Sequence, residues 1–200
     1  MHLILPYFII LIVIFQFLLR RNSKKNQLSN EEFWEKEKEA NTVRKKSLDD
    51  IVYIHIPDKL LNICDMPESS SNYYAEYKEL SKAPIVNLTG ISNTDLKLSY
   101  GLANLPYLTE CDDNFSKFCR LTSKIADCLL EAEKLDLAAS FLEFAIDSGS
   151  DVTKHYESLA YYYLGLDLYD KIEDLKEKAD QLNSLSRDTI LAKLEKIGQK

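Results

Sequence analysis

An uncharged apolar run near the start of the chain, residues 3–19, constrains the structure most strongly. Its seventeen residues match the lower limit of length for a helix that crosses the hydrocarbon core of a bilayer. Pro6 falls in the first turn, where proline is tolerated, and Gln16 lies near the other end, where its amide reaches the interface. We therefore expect a single transmembrane helix over residues 3–19.

A secretory signal peptide is the main alternative for this run. Such a peptide carries basic residues before its apolar core and a small-residue cleavage site after it. Only two residues precede residues 3–19, neither of them Lys or Arg, and no Ala-x-Ala-like site follows. The pattern favours an uncleaved anchor over a cleaved signal.

The residues that follow the run predict its orientation. Arg20, Arg21, Lys24 and Lys25 lie on its C-terminal flank, and no Lys or Arg lies on the N-terminal flank. Because basic flanks stay on the cytoplasmic side, we expect a single-pass protein of the cell membrane whose soluble domain faces the cytoplasm.

Charge argues against one class of partner. Residues 1–47 carry nine Lys/Arg and five Asp/Glu, a net charge of +4, whereas residues 48–200 carry sixteen and twenty-seven, a net charge of −11. An acidic body lacks the basic surface that nucleic-acid binding requires, so we expect no nucleic-acid partner.

The cysteine and histidine residues do not predict a metal site. The four cysteines form no CxxC pair, and the three histidines are far apart in the sequence. We therefore expect free thiols in a reducing compartment and neither a metal nor a cofactor. The cysteines are Cys64, Cys111, Cys119 and Cys128.

Composition divides the rest of the chain into three parts. Residues 20–47 predict a basic juxtamembrane linker and then a solvated helix over residues 31–46. Residues 48–110 mix extended segments with short helices, which we expect to pack on the part that follows. Residues 111–200 predict helical hairpins with a C-terminal capping helix. The expected fold class is mostly α.

The middle part of the chain contains short local signals. β-branched residues predict extended segments over residues 51–56 and 85–88, and the spacing of Tyr and Leu predicts a helix over residues 72–81. Ser92 followed by Asp95 three residues later predicts a capped short helix.

Five helices are predicted in the last part of the chain. The acidic cluster Glu110, Asp112 and Asp113 suits the positive end of a helix, and it lacks the pattern of a calcium-binding loop. The predicted helices cover residues 113–134, 136–148, 152–164, 167–182 and 184–197.

This helical part repeats with a period of 34 residues. Ala126 corresponds to Ala160, and Ala145 corresponds to Ala179, so small residues recur where two helices must approach closely. The further correspondences are Thr122 with Tyr156, Ile125 with Leu159, Leu129 with Tyr163, Asp136 with Asp170, and Ala138 with Ile172.

These residues resemble the tetratricopeptide repeat. That pattern places small residues at its eighth and twenty-seventh positions, which the four alanines occupy. At its twentieth position Ala138 agrees and Ile172 departs, and Ser150 and Ser186 stand where the repeat often ends in proline. The resemblance covers residues 119–186 and implies stacked helical hairpins with a concave binding face.

Several short segments extend the resemblance to the rest of the chain. They are Glu39–Asn41, Arg44–Lys46, Ile54–Pro57, Asn87–Lys97, Tyr100–Gly101 and Asn104–Leu105. With these segments the chain is similar to a group of membrane-anchored tetratricopeptide-like proteins of Gram-positive bacteria for which no activity is known. The similarity implies an architecture and no chemistry.

The polar stretch of residues 87–104 is the densest candidate for a ligand-binding segment. The alternative is structural, because Ser, Asn, Thr and Asp before a helix are also the residues that form caps and turns. The candidate residues are Asn93, Asp95, Lys97, Tyr100 and Asn104.

Tyrosines on the predicted helix over residues 152–164 are candidate anchors for a peptide. A tyrosine on the concave face of stacked hairpins offers a large contact area at a small entropic cost, whereas packing in the core is the alternative. The candidates are Tyr156 and Tyr163.

Together these features favour a membrane-tethered protein-interaction or scaffold module that binds a protein or peptide and catalyses no reaction. One alternative is a small-ligand-binding or enzymatic site built around residues 87–104, with His55 or Tyr100. Another is a structural tether whose soluble domain homo-oligomerises, and the sequence leaves the oligomeric state open.

Overall fold

The computed structural model describes residues 30–198. The expected transmembrane helix over residues 3–19 and its basic flank, from Arg20 to Lys25, lie outside the described residues. Within residues 30–198, no helix combines the length and the apolar character that a membrane crossing requires.

Helices dominate the described part of the chain, and no β-strand forms in it. The expected mostly α fold is therefore confirmed. The helices are α1 (residues 30–40), α2 (Asp58–Leu61), α3 (Ser71–Leu80), α4 (Asn93–Tyr100), α5 (Leu105–Glu131), α6 (Leu135–Asp147), α7 (Thr153–Gly165), α8 (Tyr169–Asp180) and α9 (Arg187–Gly198).

The described chain divides into two compact units. The first contains residues 30–47 and 92–105, and the second contains residues 48–91 and 106–198.

The first unit is built from α1, the segment that follows it, and α4. Residues 41–47 are not helical, so the predicted helix over residues 31–46 was too long. The backbone N–H of Lys46 instead donates to the carbonyl of Tyr100 at 3.0 Å, and the N–H of Leu102 donates to the carbonyl of Val43 at 3.4 Å. Residues 41–43 still donate to carbonyls of the last turn of α1, and beyond them the chain bonds to the end of α4 instead.

The start of α4 confirms the predicted cap. The Ser92 hydroxyl oxygen accepts a hydrogen bond from the backbone N–H of Asp95 at 3.2 Å, and it donates to the Asp95 carboxylate at 2.6 Å. A local pattern of two residues is sufficient here because both partners lie within one helical turn.

The second unit begins with irregular chain. Residues 51–56 and 85–88, which were predicted to be extended, are neither helix nor strand, and they meet through a hydrogen bond of 2.9 Å from the Ile54 N–H to the Ile85 carbonyl. One such bond does not make a strand. Helix α2, which the sequence analysis missed, follows directly after Pro57.

Helix α5 begins at Leu105, well before the predicted start at residue 113. Pro106 occupies its first turn, where the missing N–H costs nothing. The acidic cluster therefore lies inside the helix rather than at its N-terminus, which corrects the prediction. One of its members, Asp112, accepts a hydrogen bond from the backbone N–H of Leu88 at 3.0 Å.

Backbone geometry recurs every 34 residues in the hairpins. The turn between α5 and α6 and the turn between α7 and α8 each contain a residue with φ of 58°, Glu133 and Asp167. In both turns the following N–H reaches back to a carbonyl at 2.9 Å. These two bonds are Lys134 N–H to Leu129 and Leu168 N–H to Tyr163.

Burial follows the same spacing through three helices. At three positions of α5, the equivalent residues of α7 and α9 are also buried. The three series are Thr122, Tyr156 and Ile190; Ala126, Ala160 and Leu194; and Leu129, Tyr163 and Ile197. The C-terminal helix α9 thus packs as a third copy of the first helix of each hairpin.

The core of the second unit consists of two apolar clusters. The first joins α3, α5 and α6, where the ring of Tyr77 lies 5.8 Å from that of Phe118 and 5.4 Å from that of Phe141. The second joins α6 to α9 around Leu159 and Leu175.

Candidate functional site

The polar candidates of α4 are engaged in contacts inside the first unit. The Asp95 carboxylate accepts a hydrogen bond from the ammonium of Lys36 at 2.6 Å, in addition to its bond with Ser92. The Lys36 hydrogen bond, followed by the Ser92 hydroxyl, lowers the pKa of Asp95. This carboxylate therefore holds α1 against α4 rather than facing an open cavity.

Lys97 and Glu37 form a largely buried ion pair between the same two helices. The side chain of Lys97 is 11% exposed and that of Glu37 is 19% exposed. Glu37 also accepts the hydroxyl hydrogen of Thr94 at 2.6 Å. The hydrogen bonds from Lys97 and Thr94 lower the pKa of Glu37.

Asn104 links two segments of the first unit. Its side-chain amide donates to the carbonyl of Lys46 at 2.9 Å and to that of Tyr100 at 2.7 Å. Asn93 is exposed and Tyr100 is partly buried. The side chains of three of the five candidates thus bind other parts of their own unit. This is what we expect if these residues have a structural role rather than a role in ligand binding.

The beginning of the 87–104 segment belongs to the second unit. The amide of Asn87 donates to the carbonyls of Ser148 at 3.3 Å and Gly149 at 3.0 Å, at the turn between α6 and α7. His55, also in the second unit, is exposed. The Asn87 side chain is therefore bound within the second unit, and His55 is exposed in the same unit.

The two tyrosines predicted to contact a peptide are buried. Tyr156 is 1% exposed, and Tyr163 is 5% exposed and donates its hydroxyl hydrogen to Glu143 at 2.6 Å. Both belong to the inward face of α7 because positions seven residues apart lie on one side of a helix. The tyrosine of α7 that faces solvent is Tyr161, with 47% of its surface exposed.

Tyr161 lines an apolar groove between the end of α5, the start of α6 and the middle of α7. The groove has a volume of about 300 Å³. Its wall is fixed by Tyr162, whose hydroxyl donates to the Asp136 carboxylate at 2.7 Å and whose pKa this bond raises to about 12. The lining residues are Leu130, Leu135, Ser158, Tyr161 and Tyr162.

Further exposed apolar side chains follow at the turn between α7 and α8. Leu166, Leu168 and Tyr169 are 51%, 43% and 49% exposed. Consecutive helices joined by short turns run antiparallel, so this turn lies at the same end of the hairpins as the α5–α6 turn. We call the groove together with these three residues the turn-end surface.

This surface as a whole was not predicted from the sequence, although the 34-residue repeat contained its signal. Asp136 and Asp170 were matched at the 34-residue spacing, and the residue before each is apolar, Leu135 and Tyr169. Each lies at the first position of its helix and is about half exposed. An apolar side chain at the exposed start of both helices was the available clue.

A second polar cluster lies inside the hairpin stack. The imidazole of His155, which is fully buried, contacts the hydroxyl of Ser123 at 2.7 Å and that of Ser150 at 2.8 Å. Desolvation lowers the pKa of His155 to about 4 and raises the pKa of the nearby Cys119 thiol to about 11. Both groups are therefore neutral near pH 7, so they do not form a reactive thiolate–imidazolium pair.

Within residues 30–198, no three His, Cys, Asp or Glu side chains converge in a way that would hold a metal ion. No protein-family profile, curated protein sequence or solved structure matches the chain.

Proposed function

We propose that this protein is a membrane-tethered protein-interaction module that binds a partner rather than catalysing a reaction. In this proposal the second unit is tetratricopeptide-like, and its turn-end surface contributes to partner binding. The observation that carries the proposal is the apolar groove at Leu135 and Tyr161, because exposed apolar surface with a polar surround marks interaction sites.

The tetratricopeptide-like assignment is supported by recurrence at the spacing of the repeat. Alanines at positions 126 and 160 are buried where neighbouring helices meet, and the turns at Glu133 and Asp167 share the same backbone geometry. Stacked hairpins of this type bury a continuous core and leave extended surfaces for partners.

The membrane tether is supported by the apolar run over residues 3–19 and the basic residues that follow it. We expect the full-length protein to stay with membranes during alkaline carbonate extraction. The exposed Cys64 should react with a membrane-impermeant maleimide only after lysis, with Cys64→Ser as the control. Release by carbonate, or labelling of Cys64 in intact cells, would contradict this topology.

Site-specific photo-crosslinking in cells tests the interaction role. A photoreactive phenylalanine analogue replaces Tyr161 or Leu135 in the groove, or Glu79 on the exposed face of α3 as the matched control. We expect a discrete adduct from both groove positions and none from position 79. Identical adduct patterns at all three positions, or no adduct at any, would refute the role of the groove.

A further inference from the structure

We propose that the turn-end surface recognises a basic amphipathic segment of a partner protein, one that presents apolar side chains together with Lys or Arg. This inference rests on the proposed interaction function and specifies the chemistry of the partner. Five large apolar side chains lie at one end of the hairpins, and each is about half exposed. They are Leu135, Tyr161, Leu166, Leu168 and Tyr169.

Acidic side chains surround these five apolar side chains. Glu131, Glu133, Asp167 and Asp170 are exposed in the same two turns or at the helix ends beside them. In the part of the chain that the structure describes, none of the four has a basic side chain within ion-pair distance. Their negative charge is therefore available to a partner.

The basic residues of these turns do not offset that charge. Lys134 is held by the carboxylate and the carbonyl of Asp65. Lys171 lies 3.8 Å from Asp174, the carboxylate one turn further along α8. The local field of the turn-end surface is therefore negative, and it belongs to a body whose residues 48–200 carry a net charge of −11.

The two turns present the same combination twice. Glu133 and Asp167 occupy equivalent positions, as do Leu135 and Tyr169, and the turn geometry is the same in both. A partner that offers an apolar stripe flanked by basic side chains would meet both turns. An amphipathic helix with Lys or Arg beside its apolar face has this arrangement.

Charge also selects among the possible occupants. An anionic lipid surface and a second copy of this acidic body would both be repelled by the unpaired carboxylates. A cationic segment gains from them, and because the carboxylates are exposed, the gain depends on salt. A basic partner segment is the occupant that both the apolar and the acidic observations favour.

The test uses the full-length protein in nanodiscs of zwitterionic lipid, with empty nanodiscs as background. The probes are fluorescent 18-residue amphipathic peptides of Leu and Lys, the same peptide with Glu in place of Lys, and a Lys-matched peptide with scrambled spacing. We expect saturable binding of the first peptide only. Binding should weaken as salt is raised.

Matched variants localise the binding. Glu133→Lys with Asp167→Lys reverses two charges in the turns, and Glu177→Lys with Glu195→Lys makes the same change at exposed positions of α8 and α9. We expect the first pair of substitutions to weaken binding of the basic peptide by about tenfold, and the second pair to weaken it by less than about twofold. Tyr161→Ser should also weaken binding of the basic peptide.

Equal losses from both double variants, or equal binding of the acidic peptide, would overturn the inference. A peptide of residues 15–29 that competes more strongly than the designed basic peptide would also overturn the inference. That result would assign the turn-end surface to the basic segment of this chain itself. The crosslinking experiment stays independent: adducts at Tyr161 without selectivity for the basic peptide refute only the partner chemistry. Absence of adducts refutes the interaction role itself.

Discussion

The Nε2 atom of His155 lies 2.7 Å from the hydroxyl oxygen of Ser123 inside the hairpin stack. Ser123 donates its single hydroxyl hydrogen to the carbonyl of Cys119 at 3.0 Å, so the imidazole must be the donor to Ser123. Nδ1 then accepts from the Ser150 hydroxyl at 2.8 Å. The two serines thus select a neutral imidazole with its hydrogen on Nε2.

This arrangement predicts that stability falls in mildly acidic solution. The pKa of His155 is about 4 in the folded protein, against 6.5 for an ordinary histidine, because burial disfavours the charged ring. The unfolded chain therefore binds a proton that the folded chain does not bind. The stabilising contribution of neutral His155 is fully present above pH 6.5 and is lost as the pH falls from 6.5 towards 4. At pH 5 the loss should be about 2 kcal/mol.

Denaturant titrations at several pH values measure this effect. The neighbouring charges only moderate it: Asp127 on α5 and Asp151 before α7 favour the imidazolium, and Lys154 opposes it. His155→Gln cannot titrate and should flatten the dependence between pH 6.5 and 5. An unchanged slope in that variant would show that other groups are responsible.

Two buried tyrosines of α7 should respond oppositely to loss of the hydroxyl. Tyr156→Phe removes a buried hydroxyl that has no hydrogen-bond partner among residues 30–198, so the free energy of unfolding should stay the same or rise slightly. Tyr163→Phe removes a hydrogen bond to Glu143 and should lower it by about 1 kcal/mol. Chemical denaturation of the two variants in parallel tests the assignment, and equal losses would contradict it.

The Lys97–Glu37 pair should behave as a mutually dependent unit. Lys97→Met leaves the carboxylate of Glu37 in a mostly buried position without its cation, so we expect faster amide exchange in α4. Adding Glu37→Leu removes the stranded charge and should restore part of the protection. Hydrogen exchange read by mass spectrometry compares them, and a double variant less protected than the single one would argue against this role.

Gly101 and Gly165 form a matched pair for backbone substitution. Gly101 has φ of 87°, and a Cβ there would lie 2.2 Å from the carbonyl oxygen of Arg44. Gly101→Ala should therefore destabilise the first unit by about 1–3 kcal/mol. Among residues 30–198, and apart from its own helix backbone, no atom lies within 4 Å of a Cβ added at Gly165, so Gly165→Ala should be neutral or slightly stabilising. Amide exchange rates in α4 and α7 report on the two sites separately.

Helix positions after residue 135 could be predicted closely because their signals are local. The periodicity of apolar residues and the glycines at helix ends act within a few residues of the bonds they specify. The start of α5 was predicted wrongly because the prediction relied on a local signal alone. Acidic residues are favoured at a helix N-terminus, but Asp112 lies inside α5 and accepts a hydrogen bond from the backbone N–H of Leu88 in a distant segment.

The candidate site was predicted less well than the fold. Asp95, Lys97 and Asn104 were recognised as a polar cluster, but their partners lie about 60 residues away in sequence, where no local pattern identifies them. Tyr156 and Tyr161 are both aromatic positions of one helix, and only the neighbouring helices decide which of them is covered.

The helical character, the 34-residue spacing and the net charge of residues 48–200 can be read from the amino-acid sequence alone, because they depend on composition and on interactions within one or two helical turns. The tertiary structure decided which end of the hairpins stays open. Leu135 and Tyr169 remain exposed because each lies at the first position of its helix, on the end that the antiparallel packing leaves uncovered. It also decided the protonation of His155, since the imidazole is buried only when α7 packs against Ser123 of α5 and against Ser150.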